Sequence, residues 1–253
     1  MSTCLIITGA AGELGRIVLS AAANRSDVDC IIATTRSRSL DVPWPKVTCL
    51  TGVDLSEDAG ARKLAESLDK IPCDNIGLLH CAGAFPATAP LHRTTLATVA
   101  AVFAANSLTF LGAAKAVLPR MRRQRSGRLV AFTSHTQEAA YPFMGPFNMS
   151  KLALLSAVQT LANENARFGI AINAIAVATL QTETERRIKP TGTYDDWVPV
   201  NGLAAYAIDM ATTMGIQVNG SEIQYWKYSQ SFFGDSIFSR NSIDPEILDP
   251  TNG

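Results

Sequence analysis

Neither sign of charge prevails in this sequence. Its 22 lysines and arginines balance 22 aspartates and glutamates. Nothing in that balance suggests a surface for a nucleic acid or an anionic membrane, so no partner of either kind is expected. Cysteine is scarce and odd in number: Cys4, Cys30, Cys49, Cys73 and Cys81, mostly inside apolar runs. Such placement argues against a disulfide framework and for reduced, buried thiols in a cytoplasmic protein. The start, "MSTCLIITGAAG", has no basic segment, and its apolar run breaks at a glycine turn within a few residues. Neither a secretory leader nor a membrane-spanning helix is expected there. Internal repeats, low-complexity blocks and a metal site are not expected either.

What is present is an alternation of short apolar runs with longer amphipathic ones. The chain of 253 residues is 47% hydrophobic, which suits one domain with a sizeable core. "CLIITG" reads as a strand and "ELGRIVLSAAANR" as a helix. "DCIIATTR" and "KVTCLTGVDL" read as the second and third strands, "EDAGARKLAESLDK" as a helix and "IGLLHCAG" as the fourth strand. A long helix with a break fits residues 96–124, "GRLVAFTS" a fifth strand, "GPFNMSK" the start of another helix, "IAINAIAVA" a sixth strand and "SEIQYW" a seventh. Mostly apolar strands separated by helices imply a single doubly wound α/β domain, with a parallel sheet of about seven strands covered by helices on both faces. A ligand is then expected at the carboxyl ends of the strands.

The first strand-to-helix turn reads "TGAAGELGR". Gly9, Gly12 and Gly15 are spaced for a tight turn, for backbone approach to a pyrophosphate, and for close helix packing, with Leu14 among them. The second strand ends in "TTRSRS". There Arg36 and Arg38 stand where a site selecting NAD would place an acid, and they suit a 2′-phosphate. NADP(H) is therefore the expected cofactor.

These parts, in this order, resemble the short-chain dehydrogenase/reductase family over residues 4–226. The resemblance implies a Rossmann-type dinucleotide-binding and catalytic domain over 1–226. Residues 227–253, with Tyr228, Phe232, Phe233 and Phe238, then form an aromatic tail packed on the same domain or on a partner. "VDL" looks like the family's adenine-binding segment, with Asp54 toward the amino group and Leu55 beside it. "HCAG" resembles its Asn-Asn-Ala-Gly, with Ala82 and Gly83 at the cofactor. Asn106 falls where the family keeps an asparagine that anchors a relay water. "LVAFTSHT" places Ser134 at the catalytic serine, and Thr182 stands where the nicotinamide carboxamide is bound. "FNMSK" lies at the family's Tyr-x-x-x-Lys, so Lys151 would hold the nicotinamide ribose and Phe147 occupies the place of the proton-donating tyrosine.

Phe147 has no proton to give. His135 and Tyr141 are candidate replacements, and a water carried by Asn106 and Lys151 is another. Glu13 inside the glycine turn, and Val177 and Ala178 where the family has Pro-Gly, depart further. Arg186, Arg187, Lys189, Tyr194 and Trp197 lie in the segment that would meet a small-molecule substrate. The implied activity is that of an NADP(H)-dependent carbonyl reductase or alcohol dehydrogenase. Alternatives are a scaffold turned to dehydration, isomerisation or cyclisation, a catalytically silent nucleotide-binding subunit, or an engineered Tyr-to-Phe variant. Alanine- and leucine-rich helices, "LGAAKAVL" and "ALLSAVQTLA", point to a homodimer or homotetramer.

Overall fold

A computed structural model describes residues 2–36, 39–85, 88–188, 194, 197–213 and 218–225. Arg38, Lys189, Trp226 and the whole 227–253 tail lie outside the described residues. Seven strands are β1 (Thr3–Thr8), β2 (Cys30–Thr34), β3 (Val47–Leu50), β4 (Asn75–His80), β5 (Gly127–Ser134), β6 (Ile170–Val177) and β7 (Glu222–Tyr225). They form one sheet in the order β3-β2-β1-β4-β5-β6-β7, and every pairing is parallel. All residues of β1, β4 and β5 are buried, as expected for central strands covered on both faces. β3 is shorter than its apolar run implied. It is an edge strand, and the chain leaves it after Leu50 and turns at Gly52, whose φ is +67°.

The helices are α1 (Glu13–Ala23), α2 (Asp58–Asp69), α3 (Leu96–Phe103), α4 (Thr109–Gln124), α5 (Thr136–Ala139), α6 (Gly145–Asn165), α7 (Glu183–Ile188) and α8 (Val200–Thr212). One core lies between the sheet and α2, α4 and α6, with Leu64, Phe110, Val117, Leu154 and Val158 at its centre. The other lies under α1 and α8, built from Val18, Leu19, Leu203, Ala207 and Ile208. The helical stretch Leu96–Gln124 is long and apolar enough to cross a bilayer by length and composition alone. Here Phe110, Ala113, Ala114 and Val117 turn its inner face onto the sheet. The expected break is a π turn at Ala104–Leu108, where the Thr109 N–H reaches back to the Ala104 carbonyl and one residue is added to the helix.

The strand order reverses between β1 and β4, which pair in register from Thr3 with Asn75 to Thr8 with His80. That reversal opens a crevice at the carboxyl edge. His80, buried there, lies 2.8 Å from the Thr8 hydroxyl at Nδ1 and 3.3 Å from the Thr109 hydroxyl at Nε2. One proton arrangement satisfies every partner. The Ala82 N–H donates to Thr8 Oγ1, which donates to Nδ1; Nε2–H donates to Thr109 Oγ1, which donates to the Ala105 carbonyl. Phe110 meets the ring edge-on at 5.4 Å. Burial, then the Lys151 charge, push the imidazolium down to about 3, so the ring is neutral.

This neutrality has a pH signature. The folded chain takes up a proton at His80 only near pH 3, whereas the ordinary value is 6.5. Stability is therefore fully present above 6.5 and falls as pH drops through that window. His80→Asn removes the group, so its urea-unfolding free energy should fall less steeply than that of the wild type, by about 1.4 kcal/mol per pH unit below pH 6. Parallel curves for the two proteins would show that His80 titrates normally.

Candidate active site

The site grows from the turn after β1. Gly9 has φ +64°, and a Cβ there would lie 2.6 Å from the backbone of Ala82. Only glycine lets the β1 turn touch the β4 turn this closely. A Cβ on Gly15 would lie 2.2 Å from the Gly9 carbonyl, so α1 can pack onto the turn only with glycine at that position. Gly12 is the N-cap of α1 and offers no side chain to the first turn, which leaves helix N–H groups facing the crevice. Leu14 packs against the α1–α8 core. Glu13 points elsewhere. Its Oε1 accepts the Thr184 N–H at 3.0 Å, at the start of α7. Burial pushes the Glu13 carboxyl up, but hydrogen bonds from Thr184, Thr182 and Glu183 outweigh it, and the group stays below the usual carboxylate range.

At the adenine end, Asp54 Oδ1 accepts from the Ser56 N–H at 2.9 Å and the Ser56 hydroxyl at 2.6 Å. These bonds, and after them the Arg36 charge, hold its carboxyl low. Arg36 itself is exposed just past β2. Leu55 is a core residue, and its carbonyl would be 1.9 Å from a Cβ on Gly112 of α4.

Asn106 lies in the π turn and is fully buried. It clamps the loop after β4: Oδ1 accepts the Ala84 N–H and Nδ2 donates to the Ala84 carbonyl, both at 3.0 Å. Nδ2 also lies 3.0 Å from Ser150 Oγ, and the Ser107 hydroxyl donates to the Ser150 carbonyl at 2.7 Å. The π turn is thereby tied to α6 one residue before Lys151. A Cβ on Gly83 would lie 2.7 Å from Asn106 Oδ1 and 3.8 Å from Lys151 Nζ, so Gly83 joins the two.

Lys151 Nζ donates to the Phe132 carbonyl at 2.7 Å and stands 5.5 Å from the centre of the Phe147 ring. Burial pushes its ammonium down to about 8. Among the described residues no carboxylate pairs with it. Phe147 is half-buried, and Phe85, itself 54% exposed, meets it edge-on at 5.0 Å. Phe147 and Phe85 thus form an apolar wall beside the Lys151 ammonium.

Ser134, at the end of β5, lies 2.9 Å from Thr136 Oγ1, which donates to Asn148 Oδ1 at 2.9 Å. Asn148 donates in turn to the Tyr141 carbonyl. Thr136, Asn148, Ser150 and Phe85 were not singled out in the sequence. Asn148 and Ser150, two residues apart on α6, are both buried but meet different elements, the α5 loop and the π turn, so no single-face spacing marks them. His135 Nδ1 is 3.2 Å from the Val177 carbonyl and its ring meets Tyr141 at 5.9 Å, so both candidate replacements are engaged with the loop. That loop carries two non-glycine residues with left-handed backbone, Ala140 at φ 47° and Phe143 at φ 65°.

On the far rim, Thr182 caps α7 by accepting the Glu185 N–H at 3.3 Å. Trp197 is buried and meets Tyr194 edge-on at 4.6 Å, and the Arg186 guanidinium lies 5.2 Å from the Tyr194 ring. Arg187 instead pairs with Glu183 at the surface.

A family model described as enoyl-(acyl carrier protein) reductase matches residues 34–216, well over half of the chain. The uncharacterized oxidoreductase YmfI of Bacillus subtilis is 27% identical over 213 residues, 81% of this chain and 86% of that one. The match to dehydrogenase/reductase SDR family member 4 of Bos taurus is 35% identical but spans 72 residues, 28% of this chain and only 26% of that protein. Among solved structures, an oxidoreductase of the short-chain dehydrogenase/reductase family from Burkholderia thailandensis superposes with TM-score 0.75 at 26% identity, over 88% of this chain and 90% of that one. ElxO with NADP bound gives 0.78 at 19% identity, and its Tyr-to-Phe variant with NADPH bound 0.76 at 20%, each over 88% of this chain and 97% of that one. The family model over most of the chain, with the oxidoreductase relatives, places the chain in the short-chain dehydrogenase/reductase family of oxidoreductases.

Proposed function

We propose that this protein is an NADP(H)-dependent reductase or dehydrogenase of small carbonyl or alcohol substrates that works without the family's phenolic acid. The observation that carries the reading is Lys151: a buried ammonium beside Gly83, held on the Phe132 carbonyl, with Ser134 retained at the end of β5. A buried cation with no acid partner is costly to keep unless it serves a ligand. The likeness to ElxO, solved with NADP and NADPH, supports the cofactor class.

In this reading the α1 amino terminus and the glycine turn receive the pyrophosphate, Arg36 the 2′-phosphate, and Asp54 and Leu55 border the adenine. Ala82 and Gly83 line the path between them, Lys151 holds the nicotinamide ribose, and Thr182 meets the carboxamide. When bound, the cofactor supplies or accepts the hydride. The Ser134 hydroxyl, which donates to Thr136 Oγ1 in the free protein, then turns to donate a hydrogen bond to the substrate oxygen. The Lys151 ammonium, acidified by its burial, provides the positive charge and the proton source that Phe147 cannot. Five free thiols suit a reduced, cytoplasmic setting. A second reading keeps the bound cofactor but drops redox chemistry. It is favoured by the apolar wall of Phe147 and Phe85. NADPH fluorescence separates the two, because turnover consumes the signal and mere binding leaves it.

Arg36 sets the cofactor preference. Arg36→Ala should weaken NADPH about tenfold or more while leaving NADH unchanged, the scale of one charge-assisted contact. A wild type that binds both cofactors equally would refute the role.

Phe147→Tyr should raise kcat/KM for ketone reduction with NADPH by about 10²-fold, since Lys151 one helical turn away would depress the new phenol's pKa. An unchanged rate in a variant that still folds and binds NADPH would favour the non-redox reading.

Leu96, Leu108 and Leu111 on the long helix and Met149 and Leu152 on α6 are exposed, Leu96 at 86%. We expect a second copy to cover them. Sedimentation should show a dimer or tetramer, and Leu108→Glu with Leu152→Glu should shift it toward a 27.0 kDa monomer. A monomeric wild type at micromolar concentration would exclude that assembly.

A further inference from the structure

Three thiols gather at the amino-terminal ends of the strands, at the edge of the sheet opposite the glycine turn. Cys4 of β1 and Cys30 of β2 are register partners, so their side chains leave the same face. Cys73, in the link from α2 to β4, packs into the same core. The Cys4 thiol lies close enough to both of the others to shift their ionisation. Cys4 is fully buried, Cys73 is 8% exposed and Cys30 is half-buried.

Arg120 of α4 gives the cluster its polarity. Its Nη2 lies 3.3 Å from Cys73 Sγ. The guanidinium cannot swing away, because it also donates to the carbonyls of Leu68, Ile71 and Cys73. Gln124 holds the Cys73 carbonyl at 2.6 Å from the same helix. A cation fixed on a thiol sulfur is the arrangement that makes a thiolate available.

We propose that Cys73 and Cys4 form a peroxide-reactive dithiol that closes reversibly into a disulfide. The Cys73 thiolate attacks one oxygen of hydrogen peroxide. The O–O bond breaks, and the leaving hydroxide takes a proton and departs as water, leaving Cys73 as the sulfenic acid. The Cys4 sulfur then gives up its proton and attacks Cys73 Sγ. The S–O bond breaks, and hydroxide leaves with that proton as a second water. Two thiols lose two electrons in all, and one peroxide becomes two waters. An added dithiol returns the pair to the starting state.

The other cysteines contrast with this pair. Burial pushes the Cys49 thiol up, and pushes Cys81 up to about 12. The Cys4 hydrogen bond first, and Arg120 after it, hold Cys73 at about 7 against burial and against the nearby Asp74 carboxylate. Cys30 also lies below the usual thiol range, through its bond with Cys4 and against burial, Cys73 and Asp29. Because Cys4 bonds both neighbours, the test must tell them apart.

Treat the full-length wild-type protein with hydrogen peroxide at pH 7, alkylate the remaining thiols, and map peptides by mass spectrometry without reduction. The expected product is a Cys4–Cys73 cross-link that dithiothreitol reverses. It should form with a rate constant about tenfold above the oxidation of Cys49, the combined effect of thiolate fraction and nucleophilicity. Cys4→Ser should leave Cys73 as a sulfenic acid that dimedone traps. Arg120→Gln should slow the reaction of Cys73 toward that of Cys49. A Cys4–Cys30 link instead, a Cys73 no faster than Cys49, or a cross-link that appears only in urea would each overturn the proposal. The wild-type map decides by itself if either variant fails to fold.

Discussion

Contact between two backbones, the Gly9 turn and the Ala82 segment, is the constraint on which the site depends. With no side chain between them, the ends of β1 and β4 close to within the distance that only glycine allows. The hydrogen-bond chain from Ala82 through Thr8 and His80 to Thr109 then carries that closeness to α4. Because the strand order reverses here, α1 leaves on one face and α4 on the other. The uncapped start of α1, the Gly83 loop and Lys151 consequently converge on one crevice.

A second constraint is electrostatic. Lys151 is buried, and burial alone would favour its neutral form. The Phe132 carbonyl and the face of the Phe147 ring take the place of a counter-ion. A ring at this position still provides negative quadrupole for the ammonium, worth about 0.5–2 kcal/mol. Phe147 thus gives the lysine a surface to rest on while carrying no acid of its own. A smaller residue in that position would remove the surface.

The sheet was legible in the sequence because buried parallel strands read as unbroken apolar runs, and the glycine turn because its spacing answers to one backbone geometry. The register of Phe147 and Lys151 was legible for the same reason, being fixed by the turn of a helix. The end of β3 was not, since Val53 and Leu55 in "CLTGVDL" extend the strand-like pattern past Leu50 while Gly52 turns the chain. The Ser134–Thr136–Asn148 chain was hidden because α5 is a single helical turn, followed by a loop with left-handed Ala140 and Phe143 that no residue-type preference announces. Glu13 could be read only as a clash or a solvated acid, because its partner Thr184 is 171 residues away in the chain. The stack of Arg186, Tyr194 and Trp197 was hidden in the same way, since it depends on how the side chains meet and not on their order.

The π turn at Ala104–Leu108 has a consequence for how this helix can change. An α-helix advances about 100° per residue, so one inserted residue rotates everything after it by that angle. α3, which packs on α6, and α4, which packs on α2, β4 and β5, are therefore two amphipathic faces with independent phase. Deleting a single residue from the turn would restore a straight helix and carry Phe110 and Val117 off the sheet. The bulge that presents Asn106 works as a phase coupling, and drift in the outer surface of α3 can proceed without disturbing the core under α4.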